Sequence, residues 1–377
     1  MERLNRRTEV LSDEMDCSPS VDTCISSPGG CSTGSMAAKV PFLPPVQFVK
    51  DRRLDSHLPG EPLLKLNFVG SKCCSDPDWE DWRNSLKCTV GGHTLAGLLG
   101  YGYEGSSDKY FKRLVGLEKR PEPGWFAKKA MQHGKETEGK AKTLMKRLYS
   151  EGTDPEPVIE YFEEESLVYD IHLASDPLKK IRVCVTPDMI FERRHARLSN
   201  FSHRRVTEIK CPFYMSEKHI DPNAFAHEWV KGKILKHGRG FDPAYWIQAM
   251  FYGWILNMHD VDIAMAFYCT QSDYMCIMTR GFSGFNDAFD ANAPISREPA
   301  LAAVLFTEFF VHLIEYIHSG DYNKKYYPFG LTKKQDVHQR VIDCIDSSCH
   351  RKESQLVYLD KPVYHWHANN TFSVPLS

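Results

Sequence analysis

Two short stretches of the chain carry the side chains best suited to chemistry: residues 185–188, which read VTPD, and residues 207–212, which read TEIKCP. The second stretch has the composition of a short β-strand, in which side chains alternate between two faces. Glu208 and Lys210 are therefore expected on the same face. Such a pair is often only an ion pair at a solvated strand edge. Together with Asp188, it suits a divalent cation that activates water for attack on a phosphodiester.

A third carboxylate is supplied by a long helix predicted over about residues 125–149. Small and apolar residues recur there in steps of four and three, the pattern of a buried helix face. Glu138 lies on that face, whereas Glu136 lies on the wet side, where Lys140 is four residues away. Because a carboxylate on an apolar face is costly without a positive partner, we expect Glu138 rather than Glu136 to serve a metal site.

A second helix, predicted over about residues 244–257, is apolar on nearly every side and is expected to be buried. Asp242 and Pro243 precede it as an N-cap and a first-position proline. Gln248 and Tyr252 interrupt its apolar surface and share one face. Buried amide and hydroxyl groups need partners, and a metal-bound water or a scissile phosphate would suit them.

Basic residues are candidates for contacting a nucleic-acid backbone. In the long predicted loop, residues 215–240, aromatic side chains are interleaved with the basic residues Lys231, Lys233, Lys236 and Arg239. This mixture is typical of surfaces that follow a backbone and stack bases, with a solvated loop as the alternative. Arg83 and Lys87 are predicted one turn apart on a first helix that opens near residues 76–78. The alternative interpretation is that Arg83 and Lys87 are an ordinary solvated pair with no phosphate contact.

The remaining pattern divides the chain into three parts. Residues 1–60 are rich in Ser, Pro, Gly and charge, and are predicted to form a disordered tail. Residues 76–320 should form the folded domain, and residues 321–377 a peripheral extension. The predicted β-type runs are residues 157–161, 167–173, 181–185, 205–211, 261–269 and 274–279, and a last helix is predicted over about residues 299–319.

Composition narrows the class of protein. The 377 residues are 42% hydrophobic, enough for a sizeable core. A net charge of −2 is compatible with a nucleic-acid partner, because the basic residues are clustered. The chain has neither an apolar run of transmembrane length nor a signal-peptide pattern at its start, and its twelve cysteines show no disulfide framework. We therefore expect an intracellular protein without a membrane partner, nuclear if its host is viral or eukaryotic.

The order of these motifs resembles the PD-(D/E)XK nuclease superfamily, and within it the lambda-exonuclease-like viral recombinase (YqaJ) family. The resemblance covers roughly residues 76–281 and includes a pair of N-terminal helices. It is carried by G-x-x-x-E at 134–138, P-D at 187–188, E-I-K-C-P at 208–212 and Q-x-x-x-Y at 248–252.

The resemblance implies an α/β fold with a restriction-endonuclease-like core, in which helices flank a central mixed β-sheet. It also implies that Glu138, Asp188 and Glu208 ligate Mg²⁺, with Mn²⁺ as a substitute. The carbonyl oxygen of Ile209 would complete the ligand shell. Hard oxygen ligands of this kind are the ones that Mg²⁺ prefers.

The resemblance also assigns roles around the metal. Lys210 would orient and help deprotonate the attacking water or stabilise the pentacoordinate phosphate, and Gln248, supported by Tyr252, would hold the geometry. Leu86 stands where the family has a phosphate-binding arginine, so Arg83 or Lys87 is expected to substitute for it.

The implied activity is Mg²⁺-dependent hydrolysis of phosphodiester bonds at duplex DNA ends, in the 5′-to-3′ direction, for recombination, repair or viral genome processing. The implied partners are duplex DNA ends, a single-strand annealing protein and further copies of the chain. Two alternatives stay open. One is a CRISPR-associated or AddB-like iron–sulfur nuclease, for which only Cys269 and Cys276 follow the Q-x-x-x-Y helix nearby. The other is a DNA-binding module that has lost catalysis.

Overall fold

The structure is a computed structural model in which the described residues are 51–54, 61–103, 106–150, 157–162, 165–195, 202–213, 225–226, 228–229, 242–258, 260–269, 274–283, 297–320, 364–367 and 372–373. All of them belong to one compact unit, Gln47–Ser377. Most of the predicted N-terminal tail and most of the predicted C-terminal extension lie outside the described residues.

The described residues are mixed α/β. Their helices are α1 (Trp79–Ser85), α2 (Gly92–Leu98), α3 (Ser107–Leu114), α4 (Trp125–Ser150), α5 (Pro243–Leu256) and α6 (Arg297–His318). Their strands are β1 (Asp51–Arg53), β2 (Leu64–Cys73), β3 (Thr89–Val90), β4 (Pro157–Phe162), β5 (Glu165–Leu173), β6 (Asp176–Val185), β7 (Met189–His195), β8 (Ser202–Lys210), β9 (Asp260–Cys269), β10 (Tyr274–Ser283), β11 (Tyr364–His367) and β12 (Phe372–Ser373).

These strands form two mixed sheets, where the sequence predicted a single central one. The first has the order β1-β2-β5-β6-β3 and the second the order β12-β11-β10-β9-β8-β7-β4. Neighbouring strands are antiparallel except for β3 with β6 and β8 with β9. The chain leaves the first sheet after β6 and enters the second at β7, across residues 186–188. Pro187, which has no N–H to donate to a strand ladder, lies in this crossing.

The second sheet is covered by different elements on its two faces. Val206 of β8 belongs to the large core that includes α2, α3, α5 and α6. Ile209, on the opposite face of β8, packs in a second apolar cluster with Ala141, Leu144 and Met145 of α4. The predicted alternation of β8 is therefore confirmed, and it places α4 and α5 on opposite sides of the strand that carries Glu208.

Two elements differ from the sequence prediction at the N-terminal side. The strand β2 pairs with β5 and buries Leu64 and Leu66 completely, so the folded part begins well before residue 76. Helix α1 ends at Ser85, because Leu86 has a non-helical ψ of 88° and Cys88 a left-handed φ of 51°. Lys87 therefore lies beyond the helix, and the predicted one-turn pairing of Arg83 and Lys87 is wrong.

Other local predictions are confirmed. The Asp242 side chain accepts a 3.1 Å hydrogen bond from the backbone N–H of Ala244, and Pro243 opens α5. Helix α5 is buried on nearly every side, as its composition predicted. The strand β7 was not predicted, since its sequence becomes charged after Phe191. Among the described residues, no helix is long and apolar enough to cross a membrane.

Candidate active site

Asp188 and Glu208 are brought together by the pairing of β7 with β8. Met189 lies opposite Thr207 in this antiparallel pair, which places Asp188 beside the segment that carries Glu208. The backbone N–H of Ile209 donates a 2.6 Å hydrogen bond to Oδ2 of Asp188. The two motifs that the sequence placed twenty residues apart are thus joined directly.

Glu208 is the most enclosed acid of the site, with only 2% of its side chain exposed. Its Oε1 accepts a hydrogen bond from Nζ of Lys210, two residues along the same face of β8. Its Oε2 is buried and has no hydrogen-bond partner. Because a buried carboxylate oxygen is costly to leave unsatisfied, this atom calls for a cation or a donor in the space that it faces.

Glu138 comes from the other side of the sheet, on α4. Its carboxylate accepts a hydrogen bond from Nζ of Lys142, one turn later, and its side chain is 29% exposed. Glu136 is exposed and accepts a 3.0 Å hydrogen bond from Gln132 instead. The predicted inward phase of Glu138 and outward phase of Glu136 are therefore confirmed.

Lys142 was missed as a residue of this site. Its side chain is only 11% exposed, and it forms an ion pair with Glu138. The signal that could have found it is its four-residue spacing from Glu138, the spacing at which glutamate and lysine pair along a helix.

The three carboxylates act on one another. Burial raises the pKa of Asp188 well above its usual range, and the negative charges of Glu208 and Glu138 raise it further. Burial also raises the pKa of Glu208, against the opposing effect of Lys210. Burial alone would lower the pKa of Lys210, but the charges of Glu208 and Asp188 outweigh it and raise that pKa above its usual range. Like charges held this close favour a bound cation.

One wall of the site is formed by α5. Nε2 of Gln248 donates a 3.1 Å hydrogen bond to the hydroxyl of Tyr252. Burial raises the pKa of Tyr252 well above its usual range, and the charges of Glu208 and Asp188 add to this effect, so Tyr252 lies within electrostatic range of both carboxylates. The predicted shared face of Gln248 and Tyr252 is confirmed by the hydrogen bond between them.

Gly92 of α2 makes this wall possible. A Cβ atom at Gly92 would lie 2.5 Å from Cγ of Gln248 and 3.2 Å from Cε1 of Tyr252. Only glycine allows α2 to approach α5 this closely. Tyr245, which the sequence analysis also missed, places its ring 5.5 Å from Nζ of Lys210.

Neither a model of any known protein family nor any curated protein matches this chain. The function therefore has to be argued from the residues of the site and their chemistry.

The carboxylate oxygens of Asp188, Glu208 and Glu138 are the type of ligand that a hard divalent cation prefers. One of them, Oε2 of Glu208, is buried and unsatisfied. In the arrangement described here, Lys210 and Lys142 occupy an oxygen of Glu208 and of Glu138. Within the described part of the chain, no group of three or more His, Cys, Asp or Glu side chains is placed to hold a metal ion. A cation bound at Oε2 of Glu208 would leave the contact of Lys210 with Oε1 in place.

The predicted nucleic-acid contacts are only partly described. Arg83 lies in the last turn of α1 with its guanidinium 5.1 Å from the ring of Trp79. Burial raises the pKa of Cys184, near the end of β6, and the positive charge of Arg83 is one of the effects that oppose this rise. Lys87 is exposed beyond α1. The basic residues of the 215–240 loop lie outside the described residues, namely Lys231, Lys233, Lys236 and Arg239.

Proposed function

We propose that this chain is a Mg²⁺-dependent DNA exonuclease that hydrolyses phosphodiester bonds at duplex ends in the 5′-to-3′ direction. The observation that carries the proposal is the buried, unpartnered Oε2 of Glu208 beside two further carboxylates, Asp188 and Glu138. A bound cation would satisfy this oxygen, and Asp188 and Glu138 would supply further oxygen ligands to it.

In this proposal Asp188, Glu208 and Glu138 hold Mg²⁺, or Mn²⁺ in its place, with the carbonyl oxygen of Ile209. The bound ion would supply a water of lowered pKa and neutralise charge on the phosphate. Lys210, whose ammonium group already lies at Glu208, would orient the water and stabilise the developing phosphate charge. Gln248 and Tyr252 would keep the carboxylates in place from the α5 side.

The proposed fold family is the restriction-endonuclease-like core of the PD-(D/E)XK superfamily, in its lambda-exonuclease-like branch. Support comes from the way the motifs are delivered: Glu138 from a helix, Asp188 from the residue just before β7, and Glu208 with Lys210 from β8, which pairs antiparallel with β7. The proposed partners are duplex DNA ends, a single-strand annealing protein and further copies of the chain, in recombination, repair or viral genome processing.

The test is digestion of end-labelled duplexes, with and without a 5′-phosphate, in Mg²⁺. We expect the wild-type chain to release nucleotides from the ends and Glu208→Gln to be inactive, while Ca²⁺ supports binding without turnover. Glu136→Gln is the matched control, because Glu136 is exposed on the same helix as Glu138. Wild-type cleavage by Glu208→Gln would overturn the proposal.

A DNA-binding module without catalysis is the second candidate. The observation in its favour is that, among the described residues, the acids are engaged by Lys210, Lys142 and the amide of Ile209 rather than grouped for a metal ion. Calorimetric titration with Mg²⁺ separates the two candidates. Binding that is lost in Asp188→Asn supports the nuclease, and DNA binding without any metal binding supports the module.

A further inference from the structure

Three large apolar side chains lie exposed in the first two turns of α4. The exposed fractions are 63% for Trp125, 54% for Phe126 and 57% for Met131. Trp125 and Phe126 are neighbours in the chain, and we call these two residues the α4 patch. Met131 lies on a different side of the helix, because successive residues are turned by about 100°. Other exposed apolar side chains, such as Leu63 and Leu178, are single. Scattered exposed apolar residues need no explanation, but two adjacent exposed aromatic rings indicate a binding surface.

Positive charge surrounds the α4 patch. Lys128 and Lys129 are exposed on the same turns of the helix, and Lys135 is exposed on the next turn. Nζ of Lys129 lies 4.3 Å from the centre of the Trp125 ring, so the cation and the aromatic face are presented together. Lys128 is 4.0 Å from Glu122, a contact at the outer limit for an ion pair between exposed groups. This surface is electrostatically complementary to a polyanion.

A row of rings leads from the α4 patch along the helix. The ring of Phe126 is 5.5 Å from that of Phe213, which is 5.3 Å from the ring of His133. The His133 ring stacks at 6.5 Å on that of Tyr268, and Nζ of Lys140 lies 4.0 Å from the centre of the same ring. The members of the row that belong to α4 are Phe126, His133 and Lys140. They recur every seven residues, so they share one face of the helix.

The row is related to the candidate active site through the chain. Phe213 is three residues beyond Lys210, and Lys140 is two residues beyond Glu138 on α4, with its side chain turned about 200° away from that of Glu138. All the linking rings are partly exposed: those of Phe213, His133 and Tyr268 are intermediate in burial. A row of partly exposed rings therefore extends from the exposed start of α4 toward the middle of the helix.

We propose that the α4 patch and this row of rings bind single-stranded nucleic acid, with bases stacked on Trp125 and Phe126 and phosphates contacted by the neighbouring lysines. Bases in a duplex are already stacked on one another, so only a single strand offers free base faces to these rings. That a strand bound on this row of rings is a substrate of the active site rests on the proposed nuclease function. The binding of single-stranded nucleic acid does not depend on that function.

Binding is measured by fluorescence anisotropy of labelled oligo(dT) with Glu208→Gln protein in EDTA, so that cleavage is excluded. We expect the double variant Trp125→Ala, Phe126→Ala to bind about tenfold more weakly, the scale set by alanine substitution at stacking sites. Trp125→Phe should retain most of the affinity, because a phenyl ring still stacks. Leu178→Ala, at an exposed apolar side chain away from α4, is the matched control and should bind as the parent does.

The lysines are tested by salt dependence. Replacing Lys128 and Lys129 by alanine should lower the slope of log affinity against log salt by roughly 0.7 for each lost single-strand contact. Lys179→Ala, an exposed lysine on β6, serves as the control and should leave the slope unchanged.

Three outcomes would overturn the inference. The first is unchanged oligo(dT) affinity in a folded Trp125→Ala, Phe126→Ala variant. The second is that the wild type sediments as an oligomer, while this variant sediments as a monomer and keeps its affinity for oligo(dT). The α4 patch would then join copies of the chain. The third is that the wild type binds anionic vesicles and this variant does not, while the variant still binds oligo(dT) normally. Failure of the nuclease proposal looks different, since oligo(dT) would bind normally while no duplex is cleaved in Mg²⁺.

Discussion

Asp188 is held against the strand of Glu208 by a 2.6 Å hydrogen bond from the backbone N–H of Ile209 to its Oδ2. Asp188 lies in the crossing between β6 of the first sheet and β7 of the second, so this hydrogen bond fixes the crossing to β8. Asp188 thus has a structural role in addition to the metal-binding role proposed for it. Two substitutions separate the two roles.

Asp188→Asn keeps an oxygen for the Ile209 amide but removes the charge. We expect it to unfold at nearly the same denaturant concentration as the wild type and to lose at least about a hundredfold in Mg²⁺-dependent cleavage, since several kcal/mol of charge stabilisation depend on the ion. Asp188→Ala leaves the buried amide without its partner and should also lose about 1–3 kcal/mol of stability. Equal activity of Asp188→Asn and the wild type would remove Asp188 from the site.

The side chains of Glu138 and Glu136 point to different faces of α4, so we expect their variants to differ in cleavage activity. Glu138→Gln is expected to abolish cleavage and to weaken Mg²⁺ binding in calorimetry, because Glu138 acts on Asp188 and Glu208. Glu136→Gln should be nearly normal, since Glu136 is exposed and accepts a hydrogen bond from Gln132 at the surface. The reverse result would contradict the helix phase on which the site is built.

Gly92→Ala tests the wall formed by α5. The added methyl group would lie 2.5 Å from Cγ of Gln248, so the variant should lose about 1–3 kcal/mol of stability through overpacking. Gly134→Ala on α4 is the control: open space surrounds its Cβ position, and helix propensity predicts a gain of roughly 0.5–1 kcal/mol. Thermal and urea unfolding measure both. A further Gln248→Ala substitution should restore part of the stability lost by Gly92→Ala.

Arg83 is now the better candidate for contacting the 5′-phosphate of a duplex end, because Lys87 lies beyond α1. We expect Arg83→Ala to lose the preference for 5′-phosphorylated over 5′-hydroxyl ends in a cleavage assay. Lys87→Ala should only weaken duplex binding uniformly and lower its salt slope by about one. If both variants keep the preference for a 5′-phosphate, the end is held by residues elsewhere.

Asp170 gives a pH dependence of stability that is independent of the candidate site. Burial raises the pKa of Asp170, but hydrogen bonds from Lys180 at 2.8 Å and Arg182 at 3.0 Å outweigh it and hold that pKa below its usual range. A depressed folded-state pKa means that the stabilisation is fully present above the ordinary value of about 3.9 and is lost as the pH falls through the folded-state value.

The measurement is urea unfolding of Asp170→Asn and the wild type across acid pH. The variant should be less stable by about 1–2 kcal/mol at neutral pH, a value kept low because Lys180 and Arg182 are partly exposed. The difference should shrink below about pH 4. A constant difference at every pH would show that the carboxylate charge of Asp170 contributes nothing.

Local features were predictable from the sequence because they depend on the backbone period. The inward phase of Glu138 follows from 3.6 residues per turn, and the shared face of Glu208 and Lys210 follows from strand alternation. The N-cap at Asp242 follows from its side chain and the proline after it. Each of these needs only neighbours within a few residues in the chain.

What only the tertiary structure decided depends on residues far apart in the chain. The second sheet, the contact of Gly92 with Gln248 and the hydrogen bond between Ile209 and Asp188 each join segments that no local pattern relates. The four-residue spacing of Lys142 from Glu138 indicates an ion pair, but only packing decides that Lys142 is buried. Sequence patterns fix which face a side chain occupies, whereas packing between distant elements decides what that face meets.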